Sequence, residues 1–194
     1  MENRTAKIKR KTKETQIAVE MNLDGQGRYD IDTGVGFLDH MLAHLSKHSG
    51  IDLTVKAGGD LEVDAHHTVE DVGICIGSCL CKALGDKKGL TRYGHSSLPM
   101  EDALANVAVD LSGREFCTYN VEYQTEKIGD FDVECIEEFL RSFANLGKLN
   151  LHVNVSYGSN SHHIAEAIFK ALGQALAIAV KRTGTDIPST KGSL

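Results

Sequence analysis

Proline is almost absent, with two in 194 residues, and tryptophan is missing altogether. So few prolines, and no low-complexity or single-sign charged block, exclude a proline-rich or flexible linker between separate domains. No run approaches the ~18 consecutive apolar residues of a membrane-spanning helix. The start, MENRTAKIKRKTKET, is basic but leads into no apolar stretch, so it does not read as a secretory signal. Beyond it there is no basic stripe, and the formal net charge is -6, which argues against nucleic-acid binding. The five cysteines are an odd number and contain no CxxC pair, which speaks against a disulfide scaffold. Cys75 and Cys79 read as small core residues in a reducing compartment, and the cytoplasm is the expected address.

What is present is ordinary for a globular protein: 41% hydrophobic and 25% charged residues. Alternation predicts strands over 5–11 and 14–22. After the turn DGQGR, a helix follows DTGVG and runs through FLDHMLAHLSKHSG, with Gly50 as its stop. IDLTVKA alternates as a strand, GGD reads as a hairpin turn, and LEVDA reads as the returning strand. Residues 66–85 form a second helix, rich in Cys, Ile and Leu on one face. The plan then repeats. LANVAVDLSG and EFCTYNVEY are strands, VECIEEFLRSFANLG a helix, KLNLHVNVSYG a strand, and SHHIAEAIFKALGQALAIAVKR a long closing helix. The tail TGTDIPSTKGSL has no period.

The repetition is sharpest at one phrase. DAHHTVED carries His66, His67 and Glu70, and SHHIAEA carries His162, His163 and Glu166, 96 positions later. FLDHML overlays CIEEFL at an offset of 98, which sets His40 over Glu138. The chain is therefore internally duplicated, with halves at about 5–88 and 90–183 followed by the tail. On a helix, residues three and four apart share a face, while adjacent residues diverge by ~100°. Each HHxxE turn thus offers metal ligands in two directions. A single copy would be a solvated first turn. Two copies in equivalent places, with His40 and Glu138, make eight ligand candidates. Nitrogen and oxygen donors without thiolate suit Mn, Fe, Co, Ni or Zn, and carboxylate-containing octahedral sites lean towards Mn. The diverging directions also suit ions completed by a neighbouring subunit. His44 and His48 lie on the His40 face of their helix.

A second group looks made for an anion. Arg92 in LTRYG, Arg114 in LSGRE and Lys191 in PSTKG are cations beside glycine, and Ser189 and Thr190 add hydroxyls. Arg offers phosphate a planar fork, Lys a point charge. PSTKG is not a P-loop, since it lacks the leading glycine and the following helix.

FLDHML, DLEVDAHHTVEDVGICIG, RYGHSSLPMEDAL, VDLSGRE, NSHHIAEAIFKALGQAL and PSTKG together resemble the imidazoleglycerol-phosphate dehydratases, enzymes of histidine biosynthesis. The likeness runs from about Lys13 to Gly192 in the right order. It implies an α+β fold of internally duplicated halves, each a four-stranded sheet backed by helices. It also implies a cytoplasmic homo-oligomer of about 24 subunits, with sites shared between subunits. Two Mn²⁺ ions per site are implied, with His40, His66, His67, Glu70, His162, His163 and Glu166 on the ligand positions. Glu14, His48, Arg92, Arg114, Ser189 and Lys191 fall on substrate positions, the last four around the phosphate. His40, His66, His67 and Glu70 are placed at the substrate as well as at the metal. Many members carry His where this chain has Glu138, which the internal overlay keeps as a ligand. The position of His44 is often Gln.

The implied reaction removes water from D-erythro-imidazoleglycerol phosphate to give imidazoleacetol phosphate. The proton lost from carbon has no carbonyl beside it, so the imidazole ring must supply the driving force through a metal-stabilised imidazolate and a diazafulvene-like intermediate. Glu14 is the expected proton carrier, with His48 as the alternative. A dinuclear phosphate-ester hydrolase and a metal-storage protein are the rival readings. The first predicts phosphate release, and the second predicts no use for the Arg, Ser and Lys group.

Overall fold

The computed structural model describes residues 4–194. Thr5–Lys11 (β1) and Thr15–Asn22 (β2) form an antiparallel hairpin, with Ile17, Val19 and Met21 of β2 turned into the core and Gln16 and Glu20 outward. Tyr29–Asp32 (β3) leads into the helix Gly36–Ser49 (α1), which buries Leu38, Met41, Leu42 and Leu45 at helical spacing. The entry to α1 is fixed by Asp39, whose Oδ1 accepts from both the backbone N–H and the hydroxyl of Thr33. Gly50 ends the helix in the left-handed region, φ 74, where its N–H reaches Ser46 O. Asp52–Gly59 (β4) then lies antiparallel to β2 and parallel to β3, giving the sheet order β1-β2-β4-β3.

This pairing overturns the expected hairpin return over LEVDA. With β2 on one side and β3 on the other, β4 has no free edge to receive it. Residues 60–65 instead form turns that expose Leu61 and Val63. The helix His66–Leu84 (α2) follows, burying Val69, Val72, Cys75, Ile76, Cys79 and Leu80. Burial pushes the Cys75 and Cys79 thiols up to about 11, as expected of core cysteines rather than thiolate ligands.

The second half repeats the arrangement. Tyr93–Met100 (β5) and Ala103–Asp110 (β6) are its hairpin, and Phe116–Asn120 (β7) is the counterpart of β3. Two short strands, Lys127–Ile128 (β8) and Phe131–Asp132 (β9), have no counterpart in the first half. The helix Glu134–Gly147 (α3), the strand Asn150–Tyr157 (β10) and the helix Ser161–Ala179 (α4) complete it, with sheet order β5-β6-β10-β7. The fold is α+β, two four-stranded sheets each backed by helices.

The halves are interlocked. Helix α2 packs on β1 and β2, and α4 on β5 and β6, while α1 lies against α4 and α3 against α2. Two glycines at equivalent positions permit the close approach. A Cβ on Gly77 would lie 2.5 Å from Phe143 O, and one on Gly173 would lie 2.9 Å from His48 Cβ. Phe139, Phe143 and Phe169 are fully buried where the helices meet. Each contributes roughly 1.5–3 kcal/mol of hydrophobic stabilisation. The consequence for function is direct, because crossing α1 over α4 brings His40 to the second HHxxE turn.

Candidate metal and anion sites

Both HHxxE turns open helices whose entries are tied down. Asp64 accepts from His66 N–H at 2.8 Å before α2. Asn160 caps α4, its Oδ1 accepting from the N–H groups of His162 and His163. The two imidazoles of each pair stand nearly perpendicular, at 88° for His66 and His67 and 82° for His162 and His163. Their centroids are 6.3 Å apart in both pairs.

His162 faces α1. Among the described residues, ligand atoms of His40, His162 and Glu166 lie within 4.8 Å of one another. Glu166 is buried and His40 exposed, so the cluster sits at the surface with its carboxylate on the inner side. His44 joins it, with Nε2 2.5 Å from Glu166 Oε1 and 3.3 Å from His40 Nε2. Burial lowers the His44 pKa against the opposing pull of Glu166. Burial resists ionisation of Glu166, but His44 and Lys170 outweigh it, and its carboxyl is held below the usual range. His48, one turn further along α1, has its ring 5.9 Å from that of His44, and burial and Lys170 lower its pKa.

His67 and His163 are engaged differently. Nδ1 of His67 lies 3.0 Å from Asp60 Oδ2, and Nδ1 of His163 lies 2.6 Å from Asp102 Oδ1. A carboxylate at Nδ1 fixes the ring and leaves Nε2 as the free donor atom, the usual arrangement behind a metal-bound histidine. The Asp60 hydrogen bond raises the His67 pKa, and the nearby charge of Glu14 adds to it. Glu14 itself is exposed in the turn between β1 and β2. His66 and Glu70 on α2 and Glu138 on α3 are half-buried at places that correspond to His162, Glu166 and His40. The donor set is imidazole and carboxylate throughout, and thus fits a borderline or hard divalent ion such as Mn²⁺.

The anion group also converges. Arg92, Arg114, Ser189 and Lys191 line one cleft of about 570 Å³ together with Tyr93 and Thr190. Arg92 has left-handed backbone, φ 73, and its guanidinium makes a fork to Asp110 at 2.7 and 3.1 Å. A third bond, from Nη1 to Pro188 O at 2.8 Å, ties the tail to β5 and β6. The Asp110 hydrogen bond raises the Arg92 pKa and fixes its charge. Arg92 comes from the start of the second half and Lys191 from the tail that follows it, so only the folded tail makes this cleft. His40, His162 and Glu166 do not line it.

Sequence reasoning passed over Asp60, Asp102 and Asp110. Asp60 precedes its histidine by seven residues and Asp102 by 61, so no common spacing betrays them. The remaining signal was an acid beside a turn, in GGD and PMEDA.

The sequence profile of the imidazoleglycerol-phosphate dehydratase family (IGPD) matches residues 33–176. The imidazoleglycerol-phosphate dehydratase of Clostridium acetobutylicum is 54% identical over 100% of this chain and 99% of its own length. That of an Exiguobacterium species is 56% identical over 97% of each. The solved structure of imidazoleglycerol-phosphate dehydratase from Staphylococcus aureus superposes with a TM-score of 0.84 at 41% identity, over 92% of this chain and 99% of that one. The IGPD of Pyrococcus furiosus, solved in complex with (S)-C348, gives 0.85 at 36% identity, over 96% and 100%. A family profile over residues 33–176, relatives more than half identical along nearly the whole chain, and solved structures of the same fold show that this chain belongs to the imidazoleglycerol-phosphate dehydratase family.

Proposed function

We propose that this chain is a manganese-dependent hydro-lyase of histidine biosynthesis, converting imidazoleglycerol phosphate to imidazoleacetol phosphate and water. The observation that carries the reading is the meeting of His40, His162 and Glu166 across the two halves, in a member of this family. With His66, His67, Glu70, Glu138 and His163, they would hold two Mn²⁺ ions per site. Bound there, the ions would act as Lewis acids on the two ring nitrogens of the substrate and lower its N–H pKa.

The chemistry follows from the substrate. Its C–H is not acidic, so the deprotonated ring must first expel the hydroxyl from the adjoining carbon. The resulting diazafulvene acidifies the next C–H. Glu14 takes that proton, with His48 as the alternative carrier, and the enol relaxes to the ketone. The hydroxyl leaves as water, so the balance is one H₂O lost. Arg92, Arg114, Ser189 and Lys191 hold the phosphate and fix the register of the ring.

The separation of His67 and His163 from the trio supports a site completed by neighbouring subunits, in a cytoplasmic homo-oligomer of about 24 chains. No described helix is long and apolar enough to cross a membrane.

The test is an assay of the purified protein with added Mn²⁺ and imidazoleglycerol phosphate, following the ketone product. Product that disappears on chelation supports the reading. Phosphate release in place of ketone, or no product with metal bound, overturns it.

A further inference from the structure

We infer that Thr15 and Asp71 are positioning residues for Glu14, anchoring the turn that carries it to the first HHxxE helix. The inference rests on the proposed role of Glu14 as proton carrier. Glu14 is exposed, and its side chain has no built-in reason to keep one place. Its turn is nevertheless held from inside. Thr12 Oγ1 accepts from the N–H groups of Glu14 and Thr15, at 3.1 and 2.9 Å, and Thr12 N–H donates back to Thr15 O at 2.9 Å. The two hydroxyls of Thr12 and Thr15 are 3.2 Å apart.

Those contacts order the turn within itself, and a further one orders it against the site. The hydroxyl of Thr15, a buried residue, donates to Asp71 Oδ2, and Arg10 Nε donates to Asp71 Oδ1 at 2.7 Å. Asp71 is itself buried, 6% exposed, which is costly for a carboxylate unless both oxygens are engaged, as they are here. It follows Glu70 directly and lies one helical turn beyond His67, on nearly the same face. The helix that presents His67 therefore also grips the hairpin that presents Glu14. Close packing at this corner reinforces the grip. Thr15 pairs with Gly59 in the sheet, and a Cβ on Gly59 would fall 2.1 Å from Thr68 Oγ1.

The experiment compares wild type, Thr15→Val and Thr15→Ser as manganese-loaded, assembled enzymes. Valine keeps the shape and removes the donor, while serine keeps the donor. The readouts are kcat, KM, bound manganese, and amide hydrogen exchange over residues 12–15. Thr15→Val should lower kcat at least about tenfold with KM within about twofold, because a misplaced proton carrier slows the chemical step rather than binding. Exchange in the turn should quicken, bound manganese should stay constant, and Thr15→Ser should return kcat to within about threefold of wild type. An unchanged kcat in Thr15→Val overturns the inference. So does a loss of manganese that accounts for the lost activity, or a serine variant as poor as valine. Inactive wild type would overturn the dehydratase reading instead. In that case unchanged exchange in Thr15→Val would still overturn the anchoring, and faster exchange would support it.

Discussion

Asp102 holds two things at once: His163 Nδ1 lies 2.6 Å from its Oδ1, while its Oδ2 accepts from the N–H groups of Ser159 and Asn160. One carboxylate of the β5–β6 turn thus sets both the entry of α4 and the ring orientation of a proposed ligand. Asp102→Asn keeps the size but weakens the Nδ1 contact, and should lower manganese affinity by about 10–100-fold. Manganese titration of metal-free protein checks this directly. Equal affinity in the variant would show that His163 needs no such partner. Asp60→Asn tests the same logic at His67.

Lys191 is exposed in the tail and lines the cleft with Arg92 and Arg114. Removing it costs the fold nothing visible. Lys191→Ala should therefore raise KM for the phosphorylated substrate about tenfold or more, since charge-assisted hydrogen bonds to phosphate are among the strong ones. The thermal unfolding midpoint should stay within error of wild type. An unchanged KM would move the phosphate out of this cleft.

Legibility in the sequence followed the strength of local pattern. All four helices were readable, because apolar residues such as Val69, Val72, Ile76 and Leu80 recur at helical spacing. The 98-residue overlay also held, since α1 and α3 start 98 positions apart and both run for 14 residues. The misses are strands whose existence depends on a neighbour. YDID is short, mostly exposed and acidic, and it becomes β3 only by pairing with β4. YGHSSLPM contains proline and little apolar surface, yet as β5 it is an edge strand paired with β6. LEVDA had the alternation of a strand but no free partner. At the site, repetition revealed the HHxxE residues, while the carboxylates behind two of them share no common spacing with their histidines because they arrive through space.

Acid should loosen the fold in a defined window. The Arg4 side chain, hydrogen-bonded to Asp24 at 2.6 Å, holds the Asp24 carboxyl below its usual 3.8, although burial opposes this. The folded-state value is thus lower than the unfolded one. The stabilisation is fully present above pH ~4 and is lost as pH falls through the depressed folded value. Asp24→Asn should be less stable than wild type at pH 7, and the difference should shrink below pH ~4. Denaturant midpoints of the two proteins across that range decide it. A difference that stays constant with pH would mean the charge of Asp24 is not what matters.

The helix crossings link stability to the proposed metal cluster, and two glycines separate the contributions. A methyl on Gly173 would lie 2.9 Å from His48 Cβ and 3.0 Å from Leu45 O, pushing α1 off α4. A methyl on Gly77 would lie 2.5 Å from Phe143 O and 2.8 Å from Gly147 N, pushing α3 off α2. Overpacking of this kind costs about 1–3 kcal/mol, so both alanine variants should unfold at lower denaturant concentration. Only Gly173→Ala moves His40 and His44 relative to His162 and Glu166, because only α1 and α4 carry that cluster. It should therefore lose manganese affinity at the trio, beyond the loss of stability it shares with Gly77→Ala. Gly36→Ala is the control, since a Cβ there meets nothing within 4 Å and the backbone is not left-handed. Equal manganese affinity in Gly173→Ala and Gly36→Ala would show that the trio tolerates the displacement of α1, and that the α1–α4 crossing matters for the fold alone.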